Sequence, residues 1–151
     1  MTENRNAVVT GASRGIGRAI AVALAGAGYR VFCVSTSAGG CDETLVQANE
    51  LGAASGGQAS AMVCDVSSSE SVKALAESLE SQGVQVHTLV NNAGITRDGL
   101  FMRMSEEDFD SVLGVNLRGA FLTTKAFARG MAKARTGRIV NIGSIVGVVG
   151  N

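Results

Sequence analysis

The residues whose types and spacing could do chemistry begin with Gly11, Gly15 and Gly17, with Ser13 and Arg14 between them, in the run Thr10-Gly11-Ala12-Ser13-Arg14-Gly15-Ile16-Gly17. The chemistry would be anion binding. A turn pressed against a phosphate has no room for a Cβ and often needs a positive φ, which glycine adopts without steric cost. Gly11 can make the sharp exit from a strand. Gly15 and Gly17 let a first helical turn approach both ligand and sheet, its unpaired N–H groups and positive dipole end facing the anion. The Gly-x-x-x-Gly-x-Gly spacing differs from the Gly-x-Gly-x-x-Gly dinucleotide fingerprint, and by itself it serves equally well as an ordinary strand-to-helix turn.

Other polar groups fall at strand ends. After Tyr29–Val34, the run Ser35-Thr36-Ser37 holds no acidic residue. A carboxylate at such a position accepts hydrogen bonds from adenosine ribose hydroxyls and would repel a 2′-phosphate. Its absence, with the Arg14 guanidinium able to pair with phosphate oxygens, favours NADP over NAD. The alternative is a solvated Arg14 beside a plain loop. Asp65, closing the next apolar run, is placed either to accept from an adenine amino group, with Val66 against the ring, or merely to start a turn. In Asn91-Asn92-Ala93-Gly94 the amides can tie neighbouring strand ends together, and Gly94 leaves room for a cofactor. Asn116 lies inside a helical stretch, where asparagine is a poor helix former; a buried water relay and a helix-packing hydrogen bond explain it equally.

These groups need a scaffold, and the apolar pattern supplies strands and helices in alternation. Ala7-Val8-Val9 reads as a buried strand and Arg18–Ala25 as a helix. Strands follow at Tyr29–Val34, Ala59–Cys64 and His87–Val90, and a fifth buried strand within Gly137–Ser144. Helices are predicted over Asp42–Leu51, over Ser67–Gln82 with Ser67-x-x-Glu70 as its capping box, and over a long region from Ser105 to about Arg135. Glycine, alanine and serine from Gly52 to Gly57 mark a linker.

Composition bounds the rest. With 151 residues, 46% of them hydrophobic, and 13 basic residues balanced by 13 acidic ones, the chain reads as one globular domain over 1–151 without a field for nucleic acid or anionic lipid. The polar start leaves no space for a signal peptide and no apolar run reaches membrane length, so the expected location is cytoplasmic. Cys33, Cys41 and Cys64 are odd in number and lack metal-ligand spacing, so neither a disulfide framework nor a metal site is expected, and Cys33 and Cys64 read as small core residues. His87, the only histidine, starts a strand far from the ligand end and reads as structural.

Taken in order, Thr10–Gly17, Asn91–Gly94, Asn116 and Gly143-Ser144 resemble the short-chain dehydrogenase/reductase family over almost the whole chain. Within it, Gly94-Ile95-Thr96-Arg97-Asp98, Met102-Arg103-Met104 and Gly137–Ser144 are similar to the 3-oxoacyl-[acyl-carrier-protein] reductases. The resemblance implies an α/β fold of Rossmann type, a doubly wound parallel sheet in three α/β/α layers, incomplete after its fifth strand. It implies NADPH-dependent reduction of a 3-oxoacyl thioester on acyl carrier protein to the 3-hydroxyacyl form, in fatty-acid biosynthesis. It also implies contacts to NADP(H) from Gly11, Ser13, Arg14, Gly15, Ile16, Gly17, Thr36, Asp65, Val66, Asn92, Ala93 and Gly94. Ser144 would steady the substrate oxygen, Asn116 would support a proton relay, and Arg129 resembles a carrier-protein contact. Such enzymes form dimers and tetramers.

The family's tyrosine, with a lysine four residues later, is not found: Tyr29 is the only tyrosine and is followed at that distance by Cys33. The expectation is a truncated reductase whose Tyr-x-x-x-Lys lies shortly after Asn151. A polypeptide ending there should expose an apolar edge around Ile139–Ile142, associate or precipitate, and lack activity. A related reductase acting on acetoacetyl-coenzyme A or a small ketone or alcohol, and a non-catalytic NADP-binding module, are the competing expectations.

Overall fold

The computed structural model describes residues 5–150. Its strands are β1 (Asn6–Thr10), β2 (Arg30–Ser35), β3 (Gln58–Val63), β4 (Val86–Asn91) and β5 (Arg138–Asn141). Between them run α1 (Gly15–Gly26), α2 (Asp42–Gly52), α3 (Ser69–Ser81), α4 (Glu106–Leu113) and α5 (Gly119–Ala134), and a short α6 (Val146–Val149) follows β5. The sheet is parallel throughout in the order β3-β2-β1-β4-β5, with Val9 opposite Cys33 on one side and Val90 on the other.

Alternation along β1 divides the core into two faces. Val8 points with Phe32, Val34 and Leu89 toward Val72, Leu75 and Leu79 of α3 and Phe127 and Met131 of α5. Val9 points with Val31, Cys33 and Val90 toward Ala21 and Ala25 of α1 and Ala48 of α2. The second face is built from small residues, which let α1 and α2 lie close to the sheet. Central strands buried on both sides need apolar residues on both pleats, and β1 accordingly is buried along its whole length.

Two local expectations change. The residue capping α3 is Ser68, whose Oγ accepts from the Ser71 N–H at 3.2 Å. Ser67 is diverted because its N–H and hydroxyl both donate to Asp65 Oδ1, at 2.9 and 2.7 Å. β5 is not a buried strand: every residue in it is exposed, Val140 at 44%, because it forms the sheet edge. Among the described residues no helix is long and apolar enough to cross a membrane.

Candidate functional site

Strand order reverses between β1 and β4, whose outgoing helices leave to opposite faces, and in such sheets ligands lie off the carboxyl ends at that point. The β1–α1 turn forms one wall. Gly11 sits at φ +64° and Gly15 at +57°, both in the left-handed region. A Cβ on Gly17 would lie 2.2 Å from the Gly11 carbonyl oxygen and 2.5 Å from Asn92 Nδ2, so its absence is what lets α1 close on the turn. Gly15 faces nothing within 4 Å, leaving an open cradle. Among the described residues the backbone N–H groups of Ser13 and Arg14 donate to no acceptor, and the first turn of α1 carries no acidic side chain to neutralise its dipole. A phosphate fits this donor set.

The opposite wall is locked by amides and hydroxyls. Thr10 Oγ1 donates to the Val90 carbonyl at 3.2 Å and accepts from the N–H groups of Asn92 and Ala93, each at 3.0 Å. Asn92 Nδ2 donates to the carbonyls of Thr10 and Gly11, at 3.0 and 3.1 Å, which makes Asn92 a brace for the turn. Asn91 reaches the other way, donating to Asn141 Oδ1 at 2.8 Å and accepting from Thr123 Oγ1 at 2.6 Å. The expected tie between strand ends therefore joins β1, β4 and β5. In the sequence Thr10 and Asn141 stand only as members of longer runs and Thr123 inside a helical stretch; a hydroxyl at the end of a buried strand is a signal for Thr10, whereas Thr123, in α5, and Asn141, ending the exposed β5, carry none.

Between α4 and α5 the helix widens into a single π-helical turn, Gly114–Arg118. Asn116 lies in it and clamps one peptide segment: Oδ1 accepts from the Ile95 N–H at 2.8 Å and Nδ2 donates to the Ile95 carbonyl at 3.0 Å. The amide thus braces a loop across the site, and a Cβ on Gly94 would already stand 3.4 Å from it. From the same turn Arg118 donates to the Ser67 carbonyl and to Ser69 Oγ. Gly119, next along, packs on Val66, where a Cβ would meet Val66 Cγ2 at 2.8 Å. One irregular turn holds both loops.

A cleft of about 790 Å³ over β1, β4 and β5 is lined by Arg14, Asn92, Gly94, Asn116, Asn141 and Ser144. An adjoining space of about 470 Å³ over β1 and β2 is lined by Ser13, Gly15, Thr36, Asp65 and Val66. Both share Arg14, Ile16, Ala93 and Gly94 as walls, so they form one groove that gathers all the predicted cofactor and catalytic positions. Arg14 and Thr36 are exposed at its rim, and among the described residues the Arg14 side chain has no hydrogen-bond or ion-pair partner. Ser144 Oγ accepts from the Val146 N–H at 3.2 Å, leaving its hydroxyl hydrogen available. Arg129 lies outside the groove, exposed on α5.

Titratable groups mark structure more than chemistry. All three cysteines are buried and unpaired by disulfide. Burial pushes the Cys33 thiol up to about 12, and neighbouring Cys41 adds to the rise. Cys64 is also raised by burial, against a hydrogen bond with Ser71. His87 Nδ1 accepts the Asn6 N–H at 3.1 Å, at the end of the sheet away from the groove.

Residues 5–151 match the short chain dehydrogenase family. Over 149 residues the chain is 46% identical to the 3-oxoacyl-[acyl-carrier-protein] reductase FabG of Pseudomonas aeruginosa, pairing 99% of this chain with 59% of that protein. The FabG of Escherichia coli K12 is 43% identical, with 58% of its length covered. Among solved structures, a short-chain alcohol dehydrogenase from Sinorhizobium meliloti 1021, described as putative, superposes with a TM-score of 0.88 at 38% identity, covering 97% of this chain and 57% of that one. A metagenomic short-chain oxidoreductase in complex with NADP gives a TM-score of 0.84 at 38% identity, covering 95% of this chain and 63% of that one. The chain therefore spans less than two thirds of the length of each of these relatives.

Proposed function

The chain belongs to the short chain dehydrogenase family, and from that premise we propose that it carries the cofactor side and part of the catalytic side of an NADPH-dependent reductase. The proposed substrate is a 3-oxoacyl thioester on acyl carrier protein, reduced to the 3-hydroxyacyl form. The observation that carries this reading is the continuous groove. At one end the open phosphate turn and unpaired Arg14 face strand end Ser35–Ser37, which lacks a carboxylate, and at the other stand Asn116 and Ser144.

The unengaged amides of Ser13 and Arg14 would hold the pyrophosphate, and Arg14 the 2′-phosphate beside Thr36. Asp65 keeps Oδ2 uncommitted, since both Ser67 donors go to Oδ1, so it can accept from the adenine amino group while Val66 borders the ring. When bound, NADPH supplies hydride. Ser144 donates its hydroxyl hydrogen to the ketone oxygen, stabilising the charge that develops there. Asn116 holds Ile95, and with it the loop that closes the groove.

Protonation of that oxygen needs an acid at the Asn116 and Ser144 end of the groove, where the described lining residues include no carboxyl, thiol or phenol. Tyr29 precedes β2 at the opposite end of the sheet, where its hydroxyl accepts from Arg5 Nη1 at 3.4 Å. On this reading a tyrosine followed four residues later by lysine, encoded beyond Asn151, completes the site. The carrier-protein substrate is supported by the identity to relatives named for that reaction and by the exposed cation Arg129.

The test is NADPH oxidation by the full-length protein with one 3-oxoacyl group presented on acyl carrier protein, on coenzyme A, or as a free small ketone. The expected order of kcat/KM is carrier protein first and free ketone last. Equal rates on all three would overturn the substrate assignment, and no turnover despite tight NADPH binding would favour a non-catalytic NADP-binding module.

A further inference from the structure

We infer that Arg18 and Thr44 are positioning residues that set the β1–α1 turn in its anion-binding orientation, with Arg18 serving the turn and never the phosphate. The inference rests on the cofactor assignment above.

Two arginines lie four residues apart and behave differently. Arg14 is exposed at the rim and has no partner among the described residues. Each of the three guanidinium nitrogens of Arg18 is engaged. Its Nη2 donates to the Ser13 carbonyl at 2.7 Å, its Nε to Thr44 Oγ1 at 3.2 Å, and its Nη1 pairs with Glu43 Oε1 at 2.7 Å. Thr44 is completely buried, and its hydroxyl donates onward to the Ala12 carbonyl at 2.7 Å. The guanidinium and hydroxyl thus take the two successive carbonyls of the turn, drawing them toward α2.

In a trans peptide the carbonyl and the next N–H point in opposite directions. Turning the oxygens of Ala12 and Ser13 toward Arg18 and Thr44 therefore turns the N–H groups of Ser13 and Arg14 away from them. Among the described residues both of those amides are without an acceptor, as are those of the first turn of α1 that follow them. The Ala12 N–H, by contrast, is already spent on the Val34 carbonyl at 3.0 Å. The flip of two peptide planes decides whether the turn shows an anion its donors or its acceptors, and the Arg18–Thr44 pair holds those planes from behind.

The experiment measures NADPH and NADH affinity, and the melting temperature without cofactor, for Thr44→Val, Thr44→Ser and Arg14→Ala in the full-length protein. Valine keeps the buried shape of threonine but cannot donate to Ala12; serine can. Thr44→Val should weaken both cofactors by the same factor, roughly tenfold, because the pyrophosphate is common to them. Thr44→Ser should stay near wild type, and Arg14→Ala should weaken NADPH alone. Wild-type affinity in a folded Thr44→Val protein would overturn the positioning role while leaving the cofactor assignment intact. Equal loss in Thr44→Val and Thr44→Ser would overturn it as well, since packing and not the hydroxyl would then be responsible. Failure of the wild-type protein to bind NADPH or inorganic pyrophosphate would overturn both readings.

Discussion

At the scale of single residues, the groove asks its side chains to orient backbone, and the core asks its thiols to stay neutral. Thr10 and Asn116 spend their side-chain polar atoms, and Asn92 its Nδ2, on peptide groups, so the donors that face a ligand are mostly main-chain. This explains which residues could be read from the sequence. Glycines and Arg14 announce themselves by type and spacing, whereas Thr10 or Thr44 looks like any hydroxyl until the strand it touches is known. Cys33 gives a residue-scale prediction. Its thiol ordinarily titrates near 9.0 and is pushed up to about 12 by burial, so the fold favours the protonated form. That contribution is complete below pH 9 and is lost as pH rises from 9 toward 12, at up to about 1.4 kcal/mol per pH unit. Urea midpoints across this range should fall for the wild-type protein and fall less steeply in Cys33→Ala, where Cys64 still contributes. Parallel declines in the two proteins would show that another group governs the alkaline limb.

Among the elements, the π-helical turn Gly114–Arg118 was the least legible. The long helical region from Ser105 to Arg135 was readable from its capping serine, whose Oγ accepts the Asp108 N–H at 3.1 Å, and from its apolar spacing. The extra residue in one turn was not, because no propensity encodes it; contacts to Ile95 and Ser67 on either side hold it in place. The same limit explains the α3 cap, where two adjacent serines compete and the carboxylate of Asp65 decides between them. The elements themselves, five strands in alternation with helices, followed from hydrophobic pattern together with capping and turn residues. For the turn we expect Asn116→Ala to cost about 1 kcal/mol of stability, since the bonds are solvent-exposed. It should lower turnover of the full-length enzyme by roughly tenfold through misplacement of the Ile95 loop. NADPH affinity should move little. An unchanged kcat would rule out the bracing role.

For the whole molecule, the decisive feature is a sheet with unequal edges. β5 presents Ile139 and Val140 to solvent at 38% and 44%, and Ile145, Val148 and Val149 beyond it are more exposed still. Unpaired strand edges with apolar faces recruit further strands. Sedimentation of the 151-residue polypeptide should therefore show association that grows with concentration and weakens in Val140→Lys; a monomer at every concentration would refute this. The other consequence concerns time. During synthesis β1, β2 and β3 can pair as soon as Val63 has left the ribosome, yet the hydroxyl of Thr10 must wait for amides 82 and 83 residues further on. Such distant pairing is slow compared with local pairing. The glycine turn is thus among the first pieces made but is tied to β4 only after Asn92 and Ala93 emerge, and a nascent chain stalled before Asn92 would display it held by Arg18 and Thr44 alone, without its brace.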